Sequence, residues 1–288
     1  MGIWASIDGR VLPEHEAKVS AFDNGFAFGD SVYETLRTYS GRVFTLGRHL
    51  ARLRRSAGRL GFTIPLGDDE IAARISAVLD AAKNAESYVR LIVSRGLGDL
   101  SYHFDRVKGP TFAILVKPLE PFGEREFSDC IKVVLVSIRR NPKWALDPAI
   151  KSSNLLNNVL ATREAQAQGG SEAILLNEKG EVAEGAGSNV FVVQNGTLKT
   201  PPLEAGLLEG ITRGLVFELS RQLGLSVQET PLRAEDLLGA DEAFITSTLK
   251  EVMPIARVGE SAIGSGKPGL VTQRLLAAYR EKTLRHDD

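Results

Sequence analysis

Cysteine is almost absent from this chain: among 288 residues there is one, Cys130. A single thiol excludes an internal disulfide framework and suits a reducing compartment, so a cytoplasmic protein is expected. Cys130 opens an apolar run to Ile138, which points to a buried structural thiol rather than a nucleophile. A surplus of charge is lacking as well. The formal net charge is -1, so there is no cationic footprint for nucleic acid, and small-molecule partners are expected instead. No apolar run approaches the roughly 18 residues of a membrane helix. No basic-then-apolar signal segment opens the sequence, so no membrane partner is expected. Met1, Gly2 and Ser6 match the short myristoylation pattern. The competing reading of these residues is a first strand, Ile3 to Ile7, that turns at Asp8-Gly9.

Several catalytic signatures are also missing. Gly264, Gly266 and Lys267 suggest a phosphate loop, but Pro268 follows the lysine where a magnesium-binding hydroxyl is needed. Gly25 and Gly29 have no third glycine in dinucleotide spacing. His15, His49, His103 and His286 are scattered, with no metal-ligand spacing, so no metal is expected. Ser188 lacks the flanking glycines of a nucleophile elbow.

Hydrophobic residues make up 43% of the chain, enough for a large core in one or two domains. Asp8-Gly9 marks a hairpin between Ile3–Ile7 and Val11–Leu12, and Ser40-Gly41 a second between Tyr33–Tyr39 and Arg42–Leu46. Leu50, Leu53, Ala57 and Leu60 recur at helical steps over Leu46 to Leu60, and Ile71, Ile75, Val78 and Leu79 do so over Asp68 to Ala82. Tyr88–Ser94, Thr111–Val116, Ile131–Ile138, Glu172–Leu176, Val190–Val193 and Phe244–Thr246 are strand-like. Asn154–Gln168, Gly210–Leu223 and Leu270–Arg285 are helix-like. Lys117 to Arg125 holds two prolines and a glycine. The expected organisation is therefore an N-terminal domain over 1–118, a linker over 119–125 and a C-terminal domain over 126–288. Strands interleave with helices throughout, so the class is α/β or α+β. No internal repeat is present.

Four segments carry a more specific pattern. The first is Phe28-Gly29-Asp30-Ser31-Val32-Tyr33-Glu34-Thr35-Leu36-Arg37, followed by His49-Leu50-Ala51-Arg52-Leu53. The second runs from Ile150-Lys151-Ser152-Ser153-Asn154 to Ala161. The third is Glu184-Gly185-Ala186-Gly187-Ser188-Asn189-Val190-Phe191. The fourth is Leu208-Glu209-Gly210-Ile211-Thr212-Arg213, answered by Thr246-Ser247-Thr248 and Glu251. Together, over nearly the whole chain, they resemble the class IV aminotransferases. That family includes branched-chain and D-amino acid aminotransferases, aminodeoxychorismate lyases and (R)-amine transaminases. The resemblance implies fold type IV, with a smaller N-terminal α/β domain and a larger C-terminal pseudo-barrel domain. It also implies pyridoxal 5'-phosphate as cofactor and a homodimer or higher homo-oligomer.

The same resemblance implies roles. Lys151 is the catalytic amine that binds the cofactor's aldehyde and later moves a proton; read alone, it is a solvated surface lysine. Glu184 matches the carboxylate that keeps the ring nitrogen protonated; read alone, it is a turn residue. Ile211 and Thr212 open a helix whose unpaired N–H groups suit a phosphate, although Thr212 also reads as a cap. Ser247 and Thr248 match a second phosphate loop, and Arg52 the phosphate arginine, against an ordinary exposed charge on an arginine-rich helix. Asn189 and Leu208 complete the cofactor set.

Tyr33, Arg37, Tyr88 and Arg90 match substrate-pocket positions of the archaeal-type branched-chain enzymes, and Phe28 an aromatic that reaches across a dimer interface. Thr35 stands where that group usually has glycine. Leu155 and Ser188 lean toward the D-amino acid enzymes. The Arg-x-His carboxylate trap of the D-alanine enzymes is absent, with Leu100 and Tyr102 in its place. The expected activity is transfer of an amino group from a branched-chain L-amino acid to a keto acid such as 2-oxoglutarate. D-amino acid transamination, (R)-amine transamination and lyase chemistry remain open, as does a binding module that kept the fold without the reaction.

Overall fold

The computed structural model describes residues 2–120 and 122–285; Met1 of the acylation pattern and the histidine at 286 lie outside the described residues. The described chain forms two compact units. One contains residues up to Glu120, the segment Ile150–Asn154 and the last described residues from Thr283. The other contains residues 122–149 and Leu155–Lys282. Among the described residues, no helix is long and apolar enough to cross a membrane.

The first unit is built on a six-stranded antiparallel sheet. Its order is Arg10–Pro13, Trp4–Ile7, Thr111–Pro118, Ser87–Ser94, Ser31–Tyr39 and Arg42–Val43. The turn residues Asp8 and Gly9 have φ of 49° and 91°, and Ser40 and Gly41 have 52° and 74°. Two successive left-handed residues give the hairpin the twist its strands need. Along Ser31–Tyr39 the side chains alternate between faces. Val32 and Leu36 join Val89, Leu91, Val93 and Ile114 in the core. Helices Leu46–Arg59 and Asp68–Ala82 cover this face with Leu50, Leu53, Ile71 and Ile75. Truncating one such leucine to alanine costs about 2–5 kcal/mol.

The second unit contains a nine-stranded mixed sheet curled into a half-barrel. Its main path is Val227–Glu229, Thr197–Thr200, Asn189–Gln194, Glu242–Ser247, Glu251–Val258, Ile131–Arg139, Glu172–Leu176 and Val182–Gly185. Ser261–Ala262 pairs at the side of Glu251–Val258. Ile131–Arg139 and Glu172–Leu176 are parallel, and parallel neighbours need a crossover. Helix Leu156–Ala167 supplies it, laying Ala161 and Ala165 against Val134, Val136 and Leu175.

The expected helices and most strands are present, with shifted ends. Helix Leu156–Ala167 leaves Asn154 and Leu155 outside, and Leu46 starts a helix instead of ending a strand. A helix at Glu124–Asp129 begins inside the stretch read as a linker. Cys130 is half-buried rather than buried; burial, with Asp129 beside it, pushes its thiol up to about 11, which leaves it protonated and inert.

Candidate active site

Lys151 lies in the crossover that links two parallel strands, on a strap that belongs to the first unit. The strap adds itself to the free edge of Ser31–Tyr39. The Tyr33 N–H donates to the Lys151 carbonyl at 2.9 Å, the Ser153 N–H donates to the Ser31 carbonyl at 2.9 Å, and Ser152 bridges to Val32. The Lys151 N–H donates to Ser56 Oγ at 3.1 Å. Ile150 packs on the core. Backbone pairing on both sides of Lys151 thus fixes where its side chain leaves the chain. Its amine sits 4.4 Å from the centroid of the Tyr33 ring.

The two faces of Ser31–Tyr39 do different work. Glu34 points to the helix side with Val32 and Leu36, and is fully buried. Its carboxylate accepts from Arg52 Nε and Nη2, each at 2.7 Å, and lies 2.7 Å from His49 Nδ1. His49 and Arg52 are three apart on one helix and so share a face. A fork-on-carboxylate pair is the geometry that lets a charged pair stay buried. Burial alone pushes the Glu34 carboxyl up, but the charge and hydrogen bonds of Arg52, with those of His49, outweigh it and hold the carboxyl well below the usual range. Burial lowers His49 below its ordinary value against the pull of Glu34, and the charges of Arg52 and Lys151 lower it further. The cluster is therefore carboxylate, guanidinium and neutral imidazole.

The opposite face carries Tyr33, Thr35 and Arg37, with Arg90 across from Thr35 and Tyr88 across from Arg37. The Arg90 guanidinium lies 4.1 Å from the Tyr33 ring centroid, and its Nη1 is 3.5 Å from the Tyr88 hydroxyl. Arg37 lies 4.0 Å over Tyr39. Five of the six expected substrate residues thus share one sheet face beside Lys151. Phe28 does not: it ends the short helix Asn24–Phe28 and packs 5.1 Å from Tyr102.

In the second unit, Glu184 lies in strand Val182–Gly185 and not in a turn. One carboxylate oxygen accepts from Arg140 Nε at 2.7 Å, the other from the Leu208 N–H at 3.0 Å. The Leu208 carbonyl in turn accepts from Asn189 Nδ2 at 2.9 Å. Glu184 and Asn189 therefore hold the Leu208 peptide from both ends. Arg140 is itself steadied by Asn157, whose Oδ1 is 3.0 Å from Nη1. Gly210 precedes helix Ile211–Gln222 without a side-chain cap. A Cβ on Gly210 would meet Asn189 Oδ1 at 2.0 Å, so only glycine fits there. The uncapped first-turn amides at Ile211 and Thr212 are the donors an anion needs.

Ser247 ends strand Glu242–Ser247, and its Oγ accepts the Lys250 N–H at 3.1 Å, closing the turn that presents Thr248. Lys250 pairs with buried Glu172, whose other oxygen accepts the Gly187 N–H at 3.0 Å. The hydroxyls of Ser188 and Thr246 are buried with no hydrogen-bond partner among the described residues. An uncapped helix start, a glycine cradle and two orphaned hydroxyls fit a bound anion such as a phosphate, and the Glu184 carboxylate has spare lone pairs for a ring N–H.

Sequence reasoning assigned no role to Glu34, His49 or Arg140. A signal for the first existed: a carboxylate on the apolar face of a strand demands a cation. Arg140 falls outside every motif, and nothing in its spacing marks it.

The chain matches the model of the amino-transferase class IV family over residues 31–258. It is 41% identical over 276 residues to a protein of Methanocaldococcus jannaschii provisionally named a branched-chain-amino-acid aminotransferase, covering 96% of this chain and 94% of that one. It is 34% identical over 277 residues to a D-alanine aminotransferase of Bacillus licheniformis, covering 96% of each. A branched-chain aminotransferase from the thermophilic archaeon Thermoproteus uzoniensis, solved with norvaline, superposes with a TM-score of 0.91 at 32% identity, covering 99% of this chain and 96% of that one. The chain belongs to the class IV aminotransferases, pyridoxal-phosphate-dependent enzymes of fold type IV.

Proposed function

We propose that this aminotransferase moves the amino group of a branched-chain L-amino acid to a keto acid such as 2-oxoglutarate, with Lys151 as its catalytic amine. The observation that carries this reading is the strapped Lys151, whose amine lies 4.4 Å from the ring of Tyr33 on a face lined by Arg37 and Arg90. When bound, pyridoxal phosphate supplies an electron sink for the carbanion formed at the substrate's α-carbon.

The chain's own residues do the rest. Lys151 would hold the cofactor through its aldehyde, and its amine would take the proton from the substrate's α-carbon as general base. Glu184 would hold the proton on the cofactor's ring nitrogen, its carboxylate fixed by Arg140 and the Leu208 N–H. Ile211, Thr212, Ser247 and Thr248 would hold the phosphate. Asn189 keeps the Leu208 peptide in place. Tyr33, Thr35, Arg37, Tyr88 and Arg90 receive the substrate, the arginines its carboxylate and the rings its apolar body. Phe28 contributes from a second copy of the chain. Phe26, Tyr102 and Phe104 are strongly exposed, which supports a homodimer or higher homo-oligomer. The single cysteine and its inert thiol suit the cytoplasm.

D-amino acid transamination is the second reading. Leu155, Ser188 and the similarity to a D-alanine aminotransferase favour it. Only about 1.4 kcal/mol separates tenfold preferences, so a few pocket contacts decide the outcome. A donor panel of L-leucine, D-alanine and (R)-1-phenylethylamine with several keto acids tests the choice. L-leucine with 2-oxoglutarate should be fastest; preference for D-alanine would overturn the first reading in favour of the second.

A further inference from the structure

The nine-stranded sheet brings two turns to one of its ends. Strand Val182–Gly185 leads into Asn189–Gln194 through residues 186–188, and the Gly185 N–H closes this turn by donating to the Ser188 carbonyl at 2.7 Å. Strand Glu242–Ser247 leads into Glu251–Val258 through residues 248–250. The strands that carry the turns are neighbours, with Asn189 opposite Thr246, and Ser247 opposite Glu251. The buried hydroxyls of Ser188 and Thr246, without a hydrogen-bond partner among the described residues, lie one on each side of this junction.

One ion pair ties the turns together. Glu172 is buried and uses both carboxylate oxygens: Oε1 accepts the Gly187 N–H at 3.0 Å, and Oε2 pairs with Lys250 Nζ. The Lys250 N–H donates in turn to Ser247 Oγ at 3.1 Å. The contacts therefore run from Gly187 through Glu172 and Lys250 to Ser247, crossing from one turn to the other. Lys250 is the one cation paired with Glu172 among the described residues. A Cβ on Gly185 would meet Ser188 Oγ at 2.1 Å and Glu172 Oε1 at 3.1 Å, so the carboxylate and the orphaned hydroxyl crowd the same glycine. A buried carboxylate beside such a hydroxyl repels an incoming anion unless a cation offsets its charge.

We propose that Lys250 is a positioning residue for the phosphate site: by pairing with Glu172 it locks the turn that presents Thr248 to the turn that carries Ser188, and it cancels the carboxylate charge between them. The inference rests on the reading of Ser247 and Thr248 as phosphate-binding residues and adds to it a residue that acts through another. Lys250 contributes in two ways. Its backbone N–H and its ammonium fix the turn at two points, so the hydroxyls are ordered before an anion arrives. Its charge makes the Glu172 carboxylate a neutral neighbour, leaving the Gly187 N–H held in place without an anion's repulsion.

The test is binding of pyridoxal phosphate and of pyridoxal to the full-chain apo-protein, read by fluorescence titration. The two aldehydes differ by the phosphate alone, so the ratio of their affinities isolates the anion site, whereas a variant that only loosens the fold weakens both alike. Lys250→Met should lower the ratio about tenfold, and Lys250→Arg should keep it within about twofold of the wild type. Lys250→Gln, which still donates to Glu172 without a charge, should lower it less and gives the same reading where the methionine variant fails to fold. Adding Glu172→Gln to either variant should recover most of the loss, since the unpaired charge is gone and the glutamine oxygen still accepts the Gly187 N–H. An unchanged ratio in the lysine variants, or a loss that Glu172→Gln does not relieve, would overturn the proposal. Thr248→Val separates it from the reading beneath it. A ratio unchanged in Thr248→Val removes the phosphate reading and the proposal together; a ratio lowered in Thr248→Val but unchanged in Lys250→Met removes the positioning role alone.

Discussion

Lys151 and Tyr33 are joined twice: the Tyr33 N–H donates to the Lys151 carbonyl at 2.9 Å, and the Lys151 amine lies 4.4 Å from the centroid of the Tyr33 ring. The backbone link fixes the lysine's position and the ring guides its tip. Tyr33→Leu keeps the first link and removes the second. Its kcat/KM should fall about tenfold or more, equivalent to roughly 1.4 kcal/mol, with an unchanged melting temperature. Steady-state kinetics and a thermal melt check this together. Full activity in Tyr33→Leu would mean the ring does not guide the amine.

Glu34 is the buried anion that closes the Arg52 fork. Glu34→Gln removes the charge, leaves the guanidinium buried without its counter-ion, and should destabilise the protein by about 3–5 kcal/mol. Urea denaturation measures the loss. Replacing Arg52 by methionine should cost a similar amount for the mirror reason, and the double variant less than the sum of the two.

The same cluster fixes the direction of pH dependence. Glu34 and His49 both have lowered pKa values in the folded protein. The unfolded chain therefore binds more protons than the folded one as pH falls. The stability due to His49 is fully present above the usual histidine value of 6.5 and is lost on acidification below it. The Glu34 contribution is lost at lower pH, below 4.5. The melting temperature should decline from pH 7 to pH 5, and His49→Gln should flatten that window. A melting temperature that rises over the same window would contradict the assignment.

Arg140 and the Leu208 N–H are the two groups fixing the Glu184 carboxylate. Arg140→Met leaves one of them. Apo-protein carrying it should bind pyridoxal phosphate about tenfold more weakly, read by fluorescence titration, and Arg140→Lys should recover only part, since a lysine cannot serve Glu184 and Asn157 from one planar fork. Wild-type affinity in Arg140→Met would show that the Leu208 amide alone suffices.

The first unit was largely legible in the sequence. Its strands are half-buried, so Val32, Leu36, Val89 and Leu91 alternate with polar residues and give a period of two. Its helices show apolar residues at three- and four-residue steps because one side faces a sheet. The second unit was harder. Val182–Gly185 is a strand whose glycine and glutamate imitate a turn, and Glu251–Val258 begins at a left-handed glutamate, φ 54°, and contains Pro254. Tertiary pairing overrides local signals there. The site residues stand in local motifs around Lys151, Glu184 and Thr212. Partners brought in from distant segments, such as Arg140 for Glu184, leave no trace in spacing. The register that sets Arg90 beside Thr35 and Lys117 beside Tyr88 depends on which strands become neighbours.

Lys151 is the residue proposed to carry the coenzyme. Reducing the yellow holoprotein with borohydride and mapping its peptides by mass spectrometry tests it directly. The pyridoxyl group should sit on the peptide containing Lys151, and Lys151→Ala should be colourless and inactive. A pyridoxyl group on another lysine, or a yellow and active Lys151→Ala, would contradict the account.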